Sequence, residues 1–432
     1  MSISSLLKHY SRGIYFSIAS NGLFATGIDI TFSNNKEDKS SKKRIIKKHW
    51  HTSYPLNKIV KPHWYTKKYS KFMDAVLHQI NKEFVHEYFP NGIPVITDDS
   101  KNVGADEFIV YSVQNNSYTK ELKSMFPSLE KQINMFSGAD INMPETLHNY
   151  LELFTEKVVV LDINFMNITL TELIPKTFAG QTKWAFKKTT LKYNTIDSYI
   201  KRVLNKGYLD FFTNITSEPR LHNLLLNHSF YKPATTSSFE VIDFYRAVYF
   251  DLISDMVSNS KIAETNGGIL IITGELPAFL RSNVSFFLLT LDILAIKGLW
   301  AVYIDTYMSF LPLVLHNPKQ MSFGLSTIAD KWHIVYSAVG KKIPDALPIT
   351  INNNKYLGIK GQILRYQVNT VADIVESGDK NSLYLHPNSY IETLIIDLRK
   401  RPIKYGRKLA GNVVNIKEWL TSLSNVNKSR NA

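Results

Sequence analysis

The sequence contains no cysteine among its 432 residues. Disulfide bridges, thiolate nucleophiles and metal centres with cysteine ligands are therefore excluded. A long apolar run free of charge is also missing. The most apolar stretch, residues 285–315, carries Asp292, Lys297 and Asp305 and is interrupted by Gly298. It is predicted to form a buried helix followed by a buried strand, because such charges are costly in a membrane span.

A secretory signal is the third absence. Residues 1–12 lack the apolar core and small-residue cleavage site that export requires, so the protein is expected to be cytoplasmic. With 44% hydrophobic and 20% charged residues, the chain has the composition of a folded protein. Its length exceeds what one core supports efficiently, which predicts two or three domains. We expect boundaries that give residues 1–156, 157–340 and 341–432.

Acidic residues are in deficit, with 37 Asp and Glu against 51 Lys and Arg, and the formal net charge is +14. Such a balance favours acidic partners, namely nucleic acid, anionic lipid or an acidic protein. A proteome that is generally rich in Lys and Asn would explain it equally well. The densest basic run consists of Lys42, Lys43, Arg44, Lys47 and Lys48. We expect an exposed loop over residues 33–48 that leads into a strand. This loop is either solvated or in contact with phosphate or lipid headgroups.

Hydrophobic patterning predicts an α/β fold in which one order of elements occurs twice. Residues 14–19 and 23–32 are predicted strands, and Ser20-Asn21-Gly22 has the Asn-Gly sequence of a hairpin turn. The remaining elements of the first cycle are a third strand, a helix over 67–88, a strand over 108–113 and a helix-like stretch over 120–136.

The second cycle begins at Lys157 and repeats this order. Its predicted strands are 158–163, 168–174, 183–192, 268–273 and 300–304, and its predicted helices are 195–205, 239–259 and 285–296. A β-rich C-terminal module follows, with strands over 347–351, 356–359, 362–366 and 390–398 and a closing helix near 416–423. Because the repeat concerns element order and not residue identity, it indicates two similar lobes rather than a sequence repeat.

Three stretches carry a resemblance to a known superfamily: the hairpins at residues 15–22 and 159–167, and the strand and turn at residues 269–275. They resemble the duplicated, RNase H-like lobes that unite actin, the heat-shock chaperone ATPases and the sugar kinases. Residues 125–171 are most similar to the pilus-assembly and cell-division scaffolds of that superfamily. Residues 394–402 with Trp419-Leu420 resemble actin-like proteins near the glutamate mutase chaperones. The resemblance implies two lobes in tandem, with the hairpin turns cradling phosphates and the third turn beneath the adenosine.

Carried onto this chain, the resemblance implies an ATP site at Asn21, Asp162, Asn164, Thr273 and Gly274. Phosphate-binding turns are normally rich in glycine, because the phosphate approaches backbone N–H groups closely. Here Ser17 replaces an Asp and Ala19 a Gly in the first turn, and Glu275 replaces a Gly in the third.

The second turn departs further from that pattern. Asn164 occupies a Gly position, the bulky Phe165 and Met166 follow, and Asn167 stands in the usual Thr position. These departures predict that nucleotide hydrolysis has been lost, and they favour a protein without a cofactor. Binding of ATP with Mg²⁺ remains the alternative.

Other candidate sites are weaker. His49, His51 and His63 lie near two tryptophans, but the His-x-His spacing matches no helical ligand pair, so a solvated aromatic edge is favoured over a metal or base-stacking site. Asp251 and Asp255 are one helical turn apart on a predicted helix. This spacing could place two Mg²⁺ ligands on one face, but it more commonly belongs to an exposed acidic stripe. No catalytic motif and no metal site is predicted.

Three functions follow from the sequence. The favoured one is a non-catalytic actin-like scaffold or assembly protein, a pseudo-ATPase that binds partner proteins or polymerises. The second is an ATPase or kinase that uses Asp162 as its acidic group and Thr273-Gly274 near adenosine. The third is a basic protein that binds nucleic acid or a membrane surface through the run at residues 42–48.

Overall fold

The computed structural model describes a subset of the chain, most of it in strands. The described residues are 10–18, 22–34, 42–55, 107–112, 133–137, 157–164, 167–178, 181–192, 219, 223, 245, 249, 252–254, 256–257, 267–280, 284–306, 308, 310, 332–338, 345–351, 354–367, 371–376, 379–384, 391–399, 418–419 and 422–423. The chain divides into two compact units. The first comprises Met1–Leu151, Asn227–Thr235 and Asp305–Ile328, and the second comprises Glu152–Leu226, Thr236–Ile304 and Ala329–Ala432.

The first unit contains a five-stranded mixed sheet. Its strands are β1 (Tyr10–Ile18), β2 (Gly22–Asn34), β3 (Lys42–Pro55), β4 (Glu107–Ser112) and β5 (Ile133–Ser137). They lie in the order β3-β2-β1-β4-β5. Strands β1, β2 and β3 form an antiparallel meander, whereas β4 runs parallel to β1 and β5 runs parallel to β4.

The second unit begins with the same arrangement. Its elements are β6 (Val158–Ile163), β7 (Asn167–Phe178), β8 (Gln181–Lys192), β9 (Gly267–Thr273), helix α1 (Glu275–Leu280), helix α2 (Val284–Leu294) and β10 (Gly298–Ile304). Strands β6, β7 and β8 are an antiparallel meander, and β9 and β10 extend the sheet in parallel from β6. The order β8-β7-β6-β9-β10 therefore repeats the order of the first unit.

Three later strands enlarge this second sheet to eight. Strand β11 (Trp332–Ser337) pairs antiparallel with β10, β17 (Ile391–Asp397) pairs parallel with β11, and β14 (Ile363–Gln367) pairs antiparallel with β17. The strands β12 (Ala346–Ile351), β13 (Asn354–Ile359), β15 (Val371–Glu376) and β16 (Asp379–Tyr384) form a separate sheet. The C-terminal strands predicted from the sequence are thus shared between two sheets of the second unit.

The core of the second unit lies around β6 and β9. Both strands are mainly apolar, with Val158–Leu161 in β6 and Ile269–Ile272 in β9, as is typical of central parallel strands buried on two faces. Val158, Val159, Val160 and Leu161 are at most 1% exposed. The core cluster also takes in described helical residues of the region predicted to be a helix over 239–259, among them Tyr245, Tyr249, Leu252, Ile253, Met256 and Val257.

Two predictions about the first unit are wrong. Lys42, Lys43, Arg44, Lys47 and Lys48 were expected in an exposed loop, but their backbone belongs to β3, paired with β2 from Asn34↔Lys42 onward. The β-branched Ile45 and Ile46 suit this strand despite the surrounding charge. Residues 133–136 were expected at the end of a helical stretch but form β5, because parallel pairing with β4 outweighs the local pattern.

Several predicted elements lie outside the described residues. These are the helices over 67–88 and 195–205 and the hairpin turn at Asn21. Within the described part of the chain, no helix is long and apolar enough to cross a membrane.

Candidate functional site

The ends of two adjacent parallel strands bring most of the predicted nucleotide residues together. Asp162 of β6 is in register with Thr273 of β9. Asn164 follows β6, and Gly274 separates β9 from α1. The structure therefore places Asp162, Asn164, Thr273 and Gly274 at one edge of the sheet, as expected for the carboxyl ends of neighbouring parallel strands. Asn21 lies outside the described residues.

Asn164 connects the two turns at this edge. Its side-chain Nδ2 donates to Asp162 Oδ1 at 3.0 Å and to Asn167 Oδ1 at 3.3 Å, and its Oδ1 accepts the backbone N–H of Glu275 at 3.1 Å. Its backbone N–H donates to the Asn167 carbonyl at 2.9 Å, which closes the β6–β7 turn. With 2% exposure, the residue acts as a buried cross-link between the hairpin and the start of α1.

Tyr249 completes this cross-link, and sequence reasoning missed it. Its hydroxyl donates to the Asn164 carbonyl at 3.2 Å, from a position 85 residues away in the chain. Because this hydroxyl donates to a backbone carbonyl, which every residue type supplies, no side-chain pattern indicates the contact. Only the apolar helical spacing of residues 239–259 signalled that this side chain would be buried.

Gly274 allows the third turn to approach β6 closely. Its φ is +106°, and a Cβ added there would lie 2.5 Å from the Ile163 carbonyl oxygen and 2.6 Å from Asp162 Oδ1. Any other residue would be strained in backbone conformation and would collide with the end of β6. The glycine is thus required by packing within the protein.

Glu275, the first residue of α1, is 0% exposed. Burial raises the pKa of the Tyr245 phenol above its usual value, and the charge of nearby Glu275 raises it further. The Tyr245 ring packs against Tyr249 and Phe279, with centroids 6.0 Å and 5.4 Å away. Aromatic side chains and a buried carboxylate therefore lie next to the turn after β9.

A second polar cluster, also missed from the sequence, lies elsewhere in the second unit. Arg399 Nη2 is 2.7 Å from Asp292 Oδ1 of α2 and 2.7 Å from Asp397 Oδ2 at the end of β17. Arg399 Nε donates to Asp397 Oδ1 at 2.9 Å, and the guanidinium lies 4.9 Å from the centroid of the Trp419 ring. Burial alone would lower the pKa of Arg399, but the two carboxylates hold it above its ordinary value.

The remaining candidates are less informative. His49 and His51 belong to β3, whereas His63, Asp251, Asp255, Phe165 and Met166 lie outside the described residues. Among the residues that the structure describes, no three His, Asp or Glu side chains are grouped as a metal site requires. The basic run of residues 42–48 lies at the edge of its sheet, because β3 pairs only with β2 among the described strands.

No protein-family model matches the sequence, and no curated protein is similar to it. Among solved structures, the chain is similar to a PPX-GPPA enzyme of Aquifex aeolicus, with 12% identity over 62% of this chain and 68% of that chain and a TM-score of 0.31. It is similar to a ParM filament protein from Clostridium botulinum, with 12% identity over 72% of this chain and 100% of that chain and a TM-score of 0.33. A glucokinase of Leishmania braziliensis shares 9% identity over 64% of this chain and 80% of that chain, with a TM-score of 0.25.

The strand order and register of the chain itself define its fold.

Proposed function

We propose that this chain is a non-catalytic, cytoplasmic actin-like scaffold with two lobes in tandem, which binds partner proteins or further copies of itself. The five-strand order that occurs once in each unit supports the actin-like interpretation. The observation that most favours a loss of hydrolysis is the hydrogen bond from the Glu275 N–H to the Asn164 side chain.

A nucleotide at this edge of the sheet would need unoccupied backbone N–H groups and small residues in the two turns. The Glu275 N–H is already donated to Asn164, and the space beside Gly274 is filled by Asp162 and Ile163. The carboxylate of Glu275 is buried close by. An anion would have to break a satisfied buried network and approach a negative charge, both of which oppose binding.

Isothermal titration with ATP and Mg²⁺ tests this proposal. We expect no saturable heat and no release of phosphate. Micromolar binding with turnover would contradict the scaffold and support the ATPase or kinase alternative. In that case Asp162→Ala should abolish phosphate release, because Asp162 is the acidic group at the end of β6.

Self-assembly is tested separately by sedimentation velocity over a range of protein concentrations, with and without ATP and Mg²⁺. A scaffold that has lost hydrolysis should show the same distribution of species in both conditions. A distribution that changes on nucleotide addition would show that the protein still responds to nucleotide.

A second candidate, binding of nucleic acid or a membrane surface, is favoured by the edge position of the basic strand β3. Phosphate contacts release counterions, so binding of an oligonucleotide should weaken steeply as salt rises. A flat salt response, or no binding at low salt, would remove this candidate.

A further inference from the structure

We propose that the outer edge of strand β8 binds an extended acidic segment of a partner protein, which adds a strand to the sheet. This inference rests on the proposed scaffold function and names the chemical class of its partner. It concerns a surface remote in sequence from the basic run at residues 42–48.

Within the part of the chain that the structure describes, one side of the β8 backbone is open to such pairing. Among the described strands, β8 pairs only with β7, in an uninterrupted register from Phe178↔Gln181 to Asn167↔Lys192. Its 12 residues make it a long edge strand. An edge strand presents alternate N–H and C=O groups outward, and an extended peptide can satisfy them as an added strand.

The charge of this edge selects an acidic occupant. Strand β8 carries Lys183, Lys187, Lys188 and Lys192 and contains no Asp or Glu, and the first three of these lysines are exposed. The neighbouring β7 has a single carboxylate, Glu172, which is 2% exposed and pairs with Lys157 at 2.8 Å. An incoming carboxylate could therefore approach Lys183 and Lys188 without an exposed acidic competitor in these two strands.

An apolar side chain lies among the lysines. Phe186 is 62% exposed, and its partner across the ladder, Leu173 of β7, is 1% exposed. Since side chains alternate along a strand, Trp184, Phe186 and Lys188 share one face, and Lys183 and Lys187 share the other. The edge is thus suited to a segment that alternates acidic and apolar residues.

This two-faced arrangement favours a peptide strand over nucleic acid or a membrane. The side chains of an added strand project to both faces of the sheet, so carboxylates can meet Lys183 on one face and Lys188 on the other. A bilayer contacts only one face at a time. A nucleic acid would leave the outward N–H and C=O groups of β8 without strand partners.

The first unit contains an equivalent edge. Strand β3 occupies the same place in its sheet as β8 does, at the free end of the antiparallel meander. Its residues Lys42–Pro55 include five Lys and Arg and no Asp or Glu. The repeated strand order thus carries a basic edge twice, which makes a chance accumulation of lysine at β8 a poorer explanation.

The test uses the full chain and a fluorescein-labelled peptide of alternating Asp and Val, about ten residues long to match a strand of this size. Fluorescence anisotropy at about 0.15 M salt should show saturable binding. A matched Asn/Val peptide lacks the charge, and an Asp/Val peptide methylated at alternate backbone nitrogens cannot pair as a strand. Both should bind at least about tenfold more weakly, the loss expected from several charge contacts or strand hydrogen bonds.

Variants locate the binding on β8. A triple substitution of Lys183→Gln, Lys187→Gln and Lys188→Gln should weaken binding about tenfold, and Phe186→Ala a few-fold. Leu357→Ala is the matched control, because Leu357 is 61% exposed on β13, in a different sheet, and its replacement should leave binding unchanged. Circular dichroism of each variant verifies the fold.

The inference is overturned if the Asp/Val peptide does not bind, if the lysine triple variant binds it as tightly as wild type, or if the methylated peptide binds equally well. It is also overturned if labelled oligothymidine or phosphatidylserine vesicles bind more tightly than the peptide and lose binding in the same triple variant. Failure of the scaffold proposal looks different, because hydrolysis of ATP would refute that proposal and leave peptide binding at β8 intact.

Discussion

The side-chain oxygen of Asn164 accepts the backbone N–H of Glu275 at 3.1 Å, although the two residues are 111 positions apart in the chain. The bond joins the β6–β7 turn to the first residue of α1. Its effect is to use, inside the protein, a backbone donor at the start of α1 that would otherwise be open to a ligand. Stability measurements can therefore detect what this residue contributes.

Replacing Asn164 with Ala should lower the free energy of unfolding by about 1–3 kcal/mol, because it leaves the buried Glu275 N–H without its acceptor. Urea unfolding followed by circular dichroism measures the loss. Thr190→Ala is the control, since the side-chain contact of Thr190 among the described residues is an exposed one with Thr169 at 3.3 Å, and its replacement should change stability by less than about 0.5 kcal/mol. Equal losses in the two variants would show that Asn164 is not a structural cross-link.

Replacing Gly274 with Ala should destabilise the protein through both strain and collision. The new Cβ would lie 2.5 Å from the Ile163 carbonyl oxygen. Gly361→Ala is a matched control, since its φ of +93° is similar but no described residue lies within 4 Å of the added Cβ. We expect about 1–3 kcal/mol for the control and at least about 1 kcal/mol more for Gly274→Ala. If the two variants had the same urea midpoint, the end of β6 would be able to shift and accommodate the added methyl group.

The sequence predicted the strand ends of this site better than it predicted the contacts that close it. The apolar runs of β6 and β9 predict buried strands, and the structure has strands there. Asp162 and Thr273 therefore lie at strand ends, as the sequence indicated. The role of Asn164 depends on Tyr249 and Glu275, which only the tertiary fold brings near it. Charge patterning likewise suggested a loop at residues 42–48, where pairing with β2 gives a strand.

The buried phenol of Tyr245 should make the protein sensitive to alkali. Its pKa is raised in the folded state by burial and then by the charge of Glu275, whereas the phenol in the unfolded chain has the ordinary tyrosine pKa of about 10. The folded state therefore holds the proton more tightly above that pH, and its stabilisation is lost progressively as pH rises past about 10.

Tyr245→Phe removes this proton. The free energy of unfolding of wild type minus that of the variant should be constant from about pH 7 to 9 and should fall above about pH 10, by at most about 1.4 kcal/mol per pH unit. Urea titrations at several pH values measure the difference, which cancels the contribution of the other titrating groups. A difference that stays flat through pH 11 would place the ionisation of Tyr245 near its unfolded value.

Arg399 should be among the most sensitive positions in the second unit. Arg399→Met leaves the buried carboxylates of Asp292 and Asp397 without their guanidinium, a loss of about 3–5 kcal/mol. Lys360→Met breaks an ion pair of similar length, 3.0 Å to Asp345, but the Asp345 side chain is 95% exposed, so the expected loss is about 0–1 kcal/mol. Urea unfolding compares the two variants directly.

The cause of the Arg399 effect can be isolated in a second background. When Asp292→Asn and Asp397→Asn are introduced first, Arg399→Met no longer leaves two buried charges without a partner. The loss of unfolding free energy that it causes should then be smaller than in the wild-type background. If the cost were the same in both backgrounds, the arginine would stabilise the protein through packing, for example against the Trp419 ring 4.9 Å away, and not through its carboxylate partners.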